Sequence, residues 1–217
     1  MTYKAVIFDL DGTLVNSIED IADAMNTVLR NHNYPTHTYK TYKNLVGSGI
    51  KSLVVNALPK NHRSDLEIDN CLNTMMTIYS ERCTTKTQPY SGIIKLLDSL
   101  KSKQLKISVF SNKADVLTKK VVSALLPDYF EPVFGLKIEA HKKPNPIVAL
   151  EICKTLNVLP EETIFVGDTG IDIQTANNAN MLAVGVSWGF RDKKELIDHG
   201  ASHILNHPLD LIDLLSV

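Results

Sequence analysis

The chain has 217 residues, of which 44% are hydrophobic and 22% are charged. This composition is typical of one globular domain, or of one domain with a modest insertion, and it excludes disordered and fibrous proteins. The 23 basic and 24 acidic residues leave a formal net charge of -1, so the composition gives no basic footprint for nucleic acid or an anionic membrane.

The three cysteines, Cys71, Cys83 and Cys153, are far apart and form no CxxC pair, which argues against a disulfide framework. No apolar stretch approaches the ~18 residues of a membrane span, and the N-terminal apolar run is too short for the core of a signal peptide. We therefore expect a cytoplasmic protein with no membrane or nucleic-acid partner. The sequence leaves monomer and homodimer open.

Residues 3–14 form an apolar run that leads into two carboxylates and a glycine. The β-branched and aromatic residues 6–8 predict a buried strand that ends near Asp9. Because alternate residues of an extended chain point to one side, Asp9 and Asp11 are expected to face the same space, and Gly12 permits a tight turn. Two like charges this close are costly unless a cation or a proton separates them. The alternative is a simple polar turn, since Asp and Gly are common turn residues.

Residues 16–83 read as an all-helical block, because apolar residues recur at helical spacing in three stretches: 18–29, 50–58 and 66–79. Ser17 with Asp20 predicts a capping box at the start of the first helix. The pattern then changes after residue 84. Helices are predicted at 93–100, 116–126, 146–156 and 173–179, and strands at 107–110, 133–136, 164–166 and 182–186.

Strands separated by helices predict right-handed crossovers and a parallel sheet covered on both faces. The fold class is therefore α/β, an open parallel Rossmann-like sheet with an inserted all-helical segment. We divide the chain into a core of residues 1–15 and 84–217 and an insertion of residues 16–83.

Ligands of open α/β sheets bind at the carboxyl ends of the strands, so polar residues just past each strand are candidates. Ser111 and Asn112 follow one strand, although either residue is also a common helix N-cap. Lys143 precedes a proline, and such a lysine is usually solvated. Asp168 lies at another strand end, and Asp172 follows four residues later near one helical turn away.

Four short motifs occur in a fixed order along the chain: DLDGT at 9–13, SN at 111–112, KP at 143–144 and GDTGID at 167–172. In this order the sequence resembles the haloacid dehalogenase-like (HAD) hydrolases, most of which are Mg²⁺-dependent phosphatases that act through an aspartyl-phosphate. The resemblance covers essentially the whole chain. It implies a HAD-like core and identifies the helical insertion with the family's cap, which closes over the site and reads the leaving group.

The resemblance implies that Asp9 is the nucleophile, Asp11 the general acid and base, and Lys143 a catalytic cation. It also implies that Mg²⁺ is bound by Asp9, the backbone carbonyl of Asp11, and Asp168, with Asp172 reaching the ion through water. A carboxylate with a reference pKa of ~3.9 is ionised at neutral pH and needs no base to attack. A dehalogenase has no use for an acid at Asp11, so this residue favours phosphoryl transfer.

The residues that the resemblance assigns to phosphate binding come from three motifs: Gly12, Thr13, Ser111, Asn112 and Lys143. In the cap, Gly47, Ser48 and Gly49 form a Gly-x-Gly that is too short for a dinucleotide fingerprint, and a plain loop between helices is the alternative. Together with SNK at 111–113 and GVSWGF at 185–190, this cap motif resembles the phosphoglycolate phosphatase branch. We expect the 47–49 amides, with Lys51 or Arg63, to bind the polar head of the substrate.

The predicted activity is hydrolysis of a small phosphorylated metabolite, with 2-phosphoglycolate as the first candidate. Other hydrolase substrates remain open, namely pyrophosphate, nucleoside monophosphates and sugar phosphates. A phosphomutase resembling β-phosphoglucomutase is the enzyme alternative, and a regulatory phospho-acceptor module is the non-enzyme alternative. A dinucleotide-binding oxidoreductase is disfavoured, since no glycine fingerprint follows the first strand.

Overall fold

The computed structural model describes residues 3–215 and contains a six-stranded parallel sheet with helices on both faces. The strands are β1 Ala5–Phe8, β2 Val15–Asn16, β3 Gln88–Pro89, β4 Lys106–Ala114, β5 Val133–Leu136, β6 Thr163–Gly167, β7 Leu182–Val186 and β8 His203–Leu205. The helices are α1 Ile18–Asn31, α2 Tyr39–Leu45, α3 Gly49–Ala57, α4 Asp65–Arg82, α5 Ile93–Ser102, α6 Asp115–Leu125, α7 Ile147–Leu156, α8 Gly170–Asn178, α9 Lys193–Asp198 and α10 Asp210–Leu214. The predicted open α/β fold is confirmed.

The strand order of the large sheet is β5-β4-β1-β6-β7-β8. The chain adds β4 and β5 on one side of β1 and then crosses back to add β6, β7 and β8 on the other side. The topological switch point therefore lies at β1, where an open α/β sheet forms its ligand crevice. The residues that follow β1, β4 and β6 meet there.

The alternation of side chains along β1 explains why both faces of the sheet are buried. Val6 and Phe8 belong to a hydrophobic cluster on one face, and Ile7 belongs to a second cluster on the other. Successive residues of a strand point to opposite faces, so a continuous apolar run requires a cover on each side. Helices α7, α8 and α9 cover the face of Ile7, while α5, α6 and the residues of α1 and α4 pack with the other cluster.

Helices α1 to α4 lie between two short strands that pair with each other. Val15 pairs with Pro89 and Asn16 with Gln88 in an antiparallel two-stranded sheet. The sequence pattern did not predict this pair, because two residues are too few for a periodicity. The chain therefore enters the helical segment through β2 and leaves it through β3, and the two crossings lie side by side.

The predicted capping box at Ser17 and Asp20 is wrong. Ser17 is the N-cap residue of α1, but its side chain makes no capping hydrogen bond. The carboxylate of Asp20 instead accepts three hydrogen bonds of 2.8 Å, from the amides of Lys86 and Thr87 and from the Thr87 hydroxyl. Asp20 therefore fastens α1 to the segment that leads into β3.

Strand β4 continues beyond its predicted end at residue 110. It runs to Ala114, and its pairing with β5 shifts register between Phe110 and Ala114. Ser111 and Asn112 lie in this irregular stretch, and the N-cap of α6 is Ala114, so neither residue caps the helix. Four further elements, α2, β8, α9 and α10, were not predicted, since each is short and weakly periodic.

The three cysteines are free and buried, as their spacing predicted. Among residues 3–215, no helix is both long enough and apolar enough to cross a membrane.

Candidate active site

Three carboxylates from two separate motifs converge at the switch point. Asp9 directly follows β1, Asp168 directly follows β6, and Asp172 lies in the first turn of α8. One carboxylate oxygen from each lies within 4.8 Å of the others. Lys143 Nζ lies 2.9 Å from Asp9 Oδ1 and 2.6 Å from Asp172 Oδ1. All four side chains are buried. The structure therefore brings together residues from the first, third and fourth motifs.

The carboxylates of this cluster are held in an environment that disfavours their charge. Burial raises the pKa of Asp9 to about 6; Lys143 opposes this shift, whereas Asp172 and Asp11 add to it. Burial, followed by the charges of Asp172 and Asp9, raises the pKa of Asp168 well above its ordinary value. Although burial opposes it, pairing with Asp172 and Asp9 raises the pKa of Lys143. Three acids face one ammonium, which leaves an excess of negative charge.

One carboxylate oxygen in this cluster has Lys143 as its one polar neighbour among the described side chains. Asp9 Oδ1 is buried and lies 2.9 Å from Lys143 Nζ. The same ammonium lies closer to Asp172 Oδ1, at 2.6 Å, so the two carboxylates share one positive charge. A divalent cation would satisfy this oxygen and offset the excess charge, and a set of carboxylate oxygens suits a hard ion such as Mg²⁺. The residues present thus fit the expected metal.

Asp168 is fixed by groups that leave almost no free space around it. The amide of Phe190 donates to Oδ2 at 2.7 Å, and the Thr13 hydroxyl donates to Oδ1 at 3.3 Å. A Cβ on Gly12 would lie 2.3 Å from Oδ2, and a Cβ on Gly189 would lie 2.3 Å from the Asp168 Cβ. Only glycine fits at these two positions. Thr13 is among the residues expected to bind phosphate, and in the structure its hydroxyl contacts Asp168.

Lys143 is oriented by the side chain of Asn112. Asn112 Oδ1 accepts from the Lys143 amide at 2.8 Å, and its Nδ2 donates to the Lys143 carbonyl at 3.3 Å and to the Gly47 carbonyl at 3.1 Å. The amide group is therefore occupied by backbone partners, which indicates a positioning role rather than direct phosphate contact. Ser111 is buried beside it, and its hydroxyl accepts from the Lys113 amide at 3.3 Å.

Asp172 combines two tasks. Its Oδ2 accepts from the Thr169 amide at 3.0 Å and from the Thr169 hydroxyl at 2.7 Å, which completes a capping box at the start of α8. Its Oδ1 faces Lys143. Because Asp172 is anchored at a helix N-terminus, its carboxylate holds Lys143 against the cluster.

A cleft opens from Asp9 and Asp11 toward the helical insertion and spans about 550 Å³, part of which is open solvent. Gly47, Gly49, Ser111 and Asn112 line its polar end. The apolar wall is lined by Ile21, Val46, Ile50, Leu53, Met75, Ala114 and Leu117. Both the core and the helical insertion therefore contribute to the cleft.

Sequence comparison connects this geometry to a family. The family model of the haloacid dehalogenase-like hydrolases matches residues 6–186. The chain belongs to that family. A phosphoglycolate phosphatase of Chromobacterium violaceum is 32% identical over 98% of this chain and 96% of its own. An N-acetylmuramic acid 6-phosphate phosphatase of Pseudomonas aeruginosa is 28% identical over 99% of this chain and 96% of its own.

The crystal structure of a candidate phosphoglycolate phosphatase from Lactobacillus delbrueckii subsp. bulgaricus superposes on this hydrolase with a TM-score of 0.92. The two chains are 30% identical, and the match covers 99% of each. The similarity therefore extends over the helical insertion as well as the sheet.

Two residues expected to bind the polar head of the substrate of this hydrolase lie elsewhere. The ammonium of Lys51 is 3.7 Å from Asp69, and its side chain is 62% exposed. The guanidinium of Arg63 donates to the Leu58 carbonyl, where it satisfies the end of α3. Neither residue lines the cleft, and Ser48 is also absent from its lining, whereas both neighbouring glycines belong to it.

Several site residues of the hydrolase were missed from the sequence. Lys113 lies 3.0 Å from both carboxylate oxygens of Asp11, and it was noted only as part of a branch motif. Phe190 contributes through its backbone amide, which no side-chain pattern reveals. Arg191 donates to the carbonyls of Lys43 and Val46 and so ties the core to the end of α2. A basic residue after β7 carries no signal for such a contact.

Proposed function

We propose that this hydrolase is a Mg²⁺-dependent phosphomonoesterase that forms a phosphoryl-enzyme on Asp9. The observation that carries the proposal is the convergence of Asp9, Asp168 and Asp172 within 4.8 Å, beside Lys143, at the base of a cleft. A surplus of buried carboxylates around one lysine suits a site for a divalent cation and a phosphate. Residues 1–15 and 84–217 would supply the chemistry, and residues 16–83 would act as a cap that excludes water.

The carboxylate of Asp9 attacks phosphorus, and the leaving oxygen takes a proton from Asp11, which later removes a proton from the hydrolytic water. Lys143 and Ser111 hold phosphate oxygens at the buried end of the cleft, where Gly12 leaves space for a close approach. Asp9, the Asp11 carbonyl and Asp168 would hold Mg²⁺, with Asp172 acting through water. Bound Mg²⁺ supplies charge neutralisation and polarisation of the phosphoryl group.

The first candidate substrate is 2-phosphoglycolate, because several similar proteins carry the name phosphoglycolate phosphatase over nearly their whole length. We assign the polar head of the substrate to the Gly47–Gly49 loop, whose two glycines line the cleft. Lys51 and Arg63 are engaged with other groups, so the backbone of the loop is the better candidate.

The apolar wall of the cleft favours a second candidate substrate. Val46, Ile50 and Ala114 line the cleft and are only partly buried, and a glycolate group is too small and too polar to cover them. A sugar phosphate with an apolar substituent would bury this surface, which is worth about 25 cal/mol per Å². The similarity to the N-acetylmuramic acid 6-phosphate phosphatase supports including such an ester.

Phosphate release from a substrate panel tests the proposal. The panel contains 2-phosphoglycolate, N-acetylmuramic acid 6-phosphate, glucose phosphates, nucleoside monophosphates and pyrophosphate, each with Mg²⁺ and with a chelator. We expect Mg²⁺-dependent turnover that Asp9→Asn abolishes, while the exposed control Asp69→Asn retains it. Isomerisation without phosphate release would instead identify a mutase. Phosphorylation of Asp9 without turnover would identify a regulatory phospho-acceptor.

We also propose that the protein works in the cytoplasm on a diffusible phosphate ester. The three cysteines are buried as free thiols, and burial raises the pKa of each of them. Such thiols suit a reducing compartment.

A further inference from the structure

Lys113 stands between the proton-transfer residue of the core and a tyrosine of the helical insertion. Its ammonium lies 3.0 Å from Asp11 Oδ1, 3.0 Å from Asp11 Oδ2 and 2.5 Å from the Tyr79 hydroxyl. Lys113 is on β4, whereas Tyr79 is on α4. We propose that Lys113 is a positioning residue that, anchored by Tyr79, orients the Asp11 side chain, which gives a proton to the leaving group as the carboxylic acid and takes one from the hydrolytic water as the carboxylate.

The contacts use every donor of the lysine. An ammonium has three N–H groups, and here two face the oxygens of Asp11 while the third faces Tyr79. Equal distances to both oxygens place the ammonium on the axis of the carboxylate. A carboxylate held at both oxygens has little freedom to rotate, so Lys113 fixes its direction in the cleft.

The contact between Lys113 and Asp11 is largely shielded from solvent. The Lys113 side chain is 4% exposed and that of Asp11 is 12% exposed. The ammonium also lies 4.6 Å from the centre of the Tyr79 ring, a cation-π contact that strengthens when water is excluded.

Tyr79 makes the orientation depend on the cap. It is buried on α4 and contacts the core through Lys113. If α4 moved away, the ammonium would lose one of its three partners and the ring above it. Asp11 would then be held by a lysine free to adopt other rotamers. A seated cap therefore completes the proton-transfer geometry as well as excluding water.

The inference rests on the proposed phosphatase function, and the chemistry of the leaving group tests it. An alkyl phosphate expels an alkoxide that needs a proton, whereas p-nitrophenyl phosphate expels a stable phenolate that does not. We expect Lys113→Met to lower kcat/KM, which reports leaving-group expulsion and not the later hydrolysis of the phosphoryl-enzyme, about 100-fold on the best alkyl phosphate and less than about fivefold on p-nitrophenyl phosphate. Asp11→Asn should show the same selective loss of kcat/KM. Lys119→Met, which removes an exposed lysine, is the matched control.

Two further variants separate positioning from a general structural role. Tyr79→Phe keeps the ring but removes the hydroxyl, and it should reduce alkyl phosphate turnover severalfold with the same selectivity, whereas Tyr129→Phe should not. The double variant Asp11→Asn with Lys113→Met should be no slower on the alkyl ester than Asp11→Asn alone, because the lysine acts through Asp11. If Lys113→Met fails to fold, the Tyr79→Phe variant is used to test the inference in its place.

Equal losses of kcat/KM on both esters would overturn the inference and assign Lys113 to substrate binding. The inference would also be overturned if the loss in the double variant equalled the product of the losses in the two single variants. Those results concern the variants only. Because the wild-type enzyme would remain active, they would not contradict the proposed function. Absence of Mg²⁺-dependent turnover in the wild type would instead contradict both the proposed function and this inference.

Discussion

Asn112 and Lys143 are joined by two hydrogen bonds between the side chain of the first and the main chain of the second. The Lys143 amide donates to Oδ1 at 2.8 Å, and Nδ2 donates to the Lys143 carbonyl at 3.3 Å. Lys143 lies in a loop before α7, so nothing in its own secondary structure fixes its direction. The amide of Asn112 supplies that constraint.

Asn112→Ala should therefore reduce kcat without removing any charge from the site. A displacement of Lys143 by about 1 Å costs on the order of 100-fold in rate. The measurement is steady-state kinetics on the best substrate of the panel, with Asn73→Ala on the exposed face of α4 as the control. Unchanged kcat in Asn112→Ala would show that the loop holds Lys143 without this residue.

Asp9→Asn should stabilise the protein in the absence of metal. The pKa of Asp9 is raised from 3.8 to about 6, so between these values the folded state binds more protons than the unfolded state. The free energy of unfolding then falls as the pH rises through this window, and at pH 8 the ionised carboxylate costs about 3 kcal/mol. Asparagine removes that cost.

Urea unfolding with a chelator measures this effect from about pH 5 to pH 8. The advantage of Asp9→Asn should grow with pH and vanish when saturating Mg²⁺ is added to the wild type, since the ion then compensates the charge. A variant less stable than the wild type at pH 8 in the chelator would contradict the electrostatic explanation.

Gly12→Ala should weaken Mg²⁺ binding about 10-fold or more, because an added Cβ would displace the Asp168 carboxylate. Gly12 has φ of +89°, and a Cβ there would lie 2.3 Å from Asp168 Oδ2. Gly200→Ala is a matched control, since Gly200 also has φ of +89° but a Cβ there would meet only the end of the Asn177 side chain, at 3.1 Å. The readout is the Mg²⁺ concentration for half-maximal activity. An equal response of both variants would attribute the loss to backbone strain alone.

Asp20→Ala should lower stability by about 3 kcal/mol, since it leaves buried donors without an acceptor. Asp20 is fully buried and accepts from Lys86 and Thr87. Asp23→Ala on the same helix removes partly exposed ion pairs with Arg82 and Lys86 and a hydrogen bond from Tyr39, and it should cost about 1 kcal/mol, less than Asp20→Ala. Denaturant unfolding compares the two variants. Turnover of folded Asp20→Ala at low temperature should remain close to that of the wild type.

The sheet was predictable because its strands are short apolar runs between amphipathic helices. Once the strands were placed, the polar residues just past their carboxyl ends could be named as candidate site residues. The convergence of Asp9 and Asp168 needed only β1 and β6 to be neighbours. What the sequence did not reveal are contacts through the backbone. The Phe190 amide at Asp168 and the tie between Arg191 and α2 depend on loop paths that carry no periodicity.

Side-chain contacts across the cleft could not be predicted from the sequence either. Tyr79 reads as one apolar position among several on α4, and Lys113 as one polar residue after a strand. Their contact depends on the angle at which α4 crosses the sheet, which packing sets and local sequence does not. Lys51 was singled out as a basic residue near a glycine loop, and the sequence did not reveal that its side chain faces solvent beside Asp69.

The pairing of Val15 with Pro89 has a consequence for how such an enzyme can diversify. Because the two crossings of the chain lie side by side, the segment between them can lengthen, shorten or be exchanged without altering the register of the large sheet. Substitutions in that segment reshape the cleft wall while Asp9 and Asp168 stay in place. Exchange of this segment between relatives is therefore a route to new substrate preferences on an unchanged reaction centre.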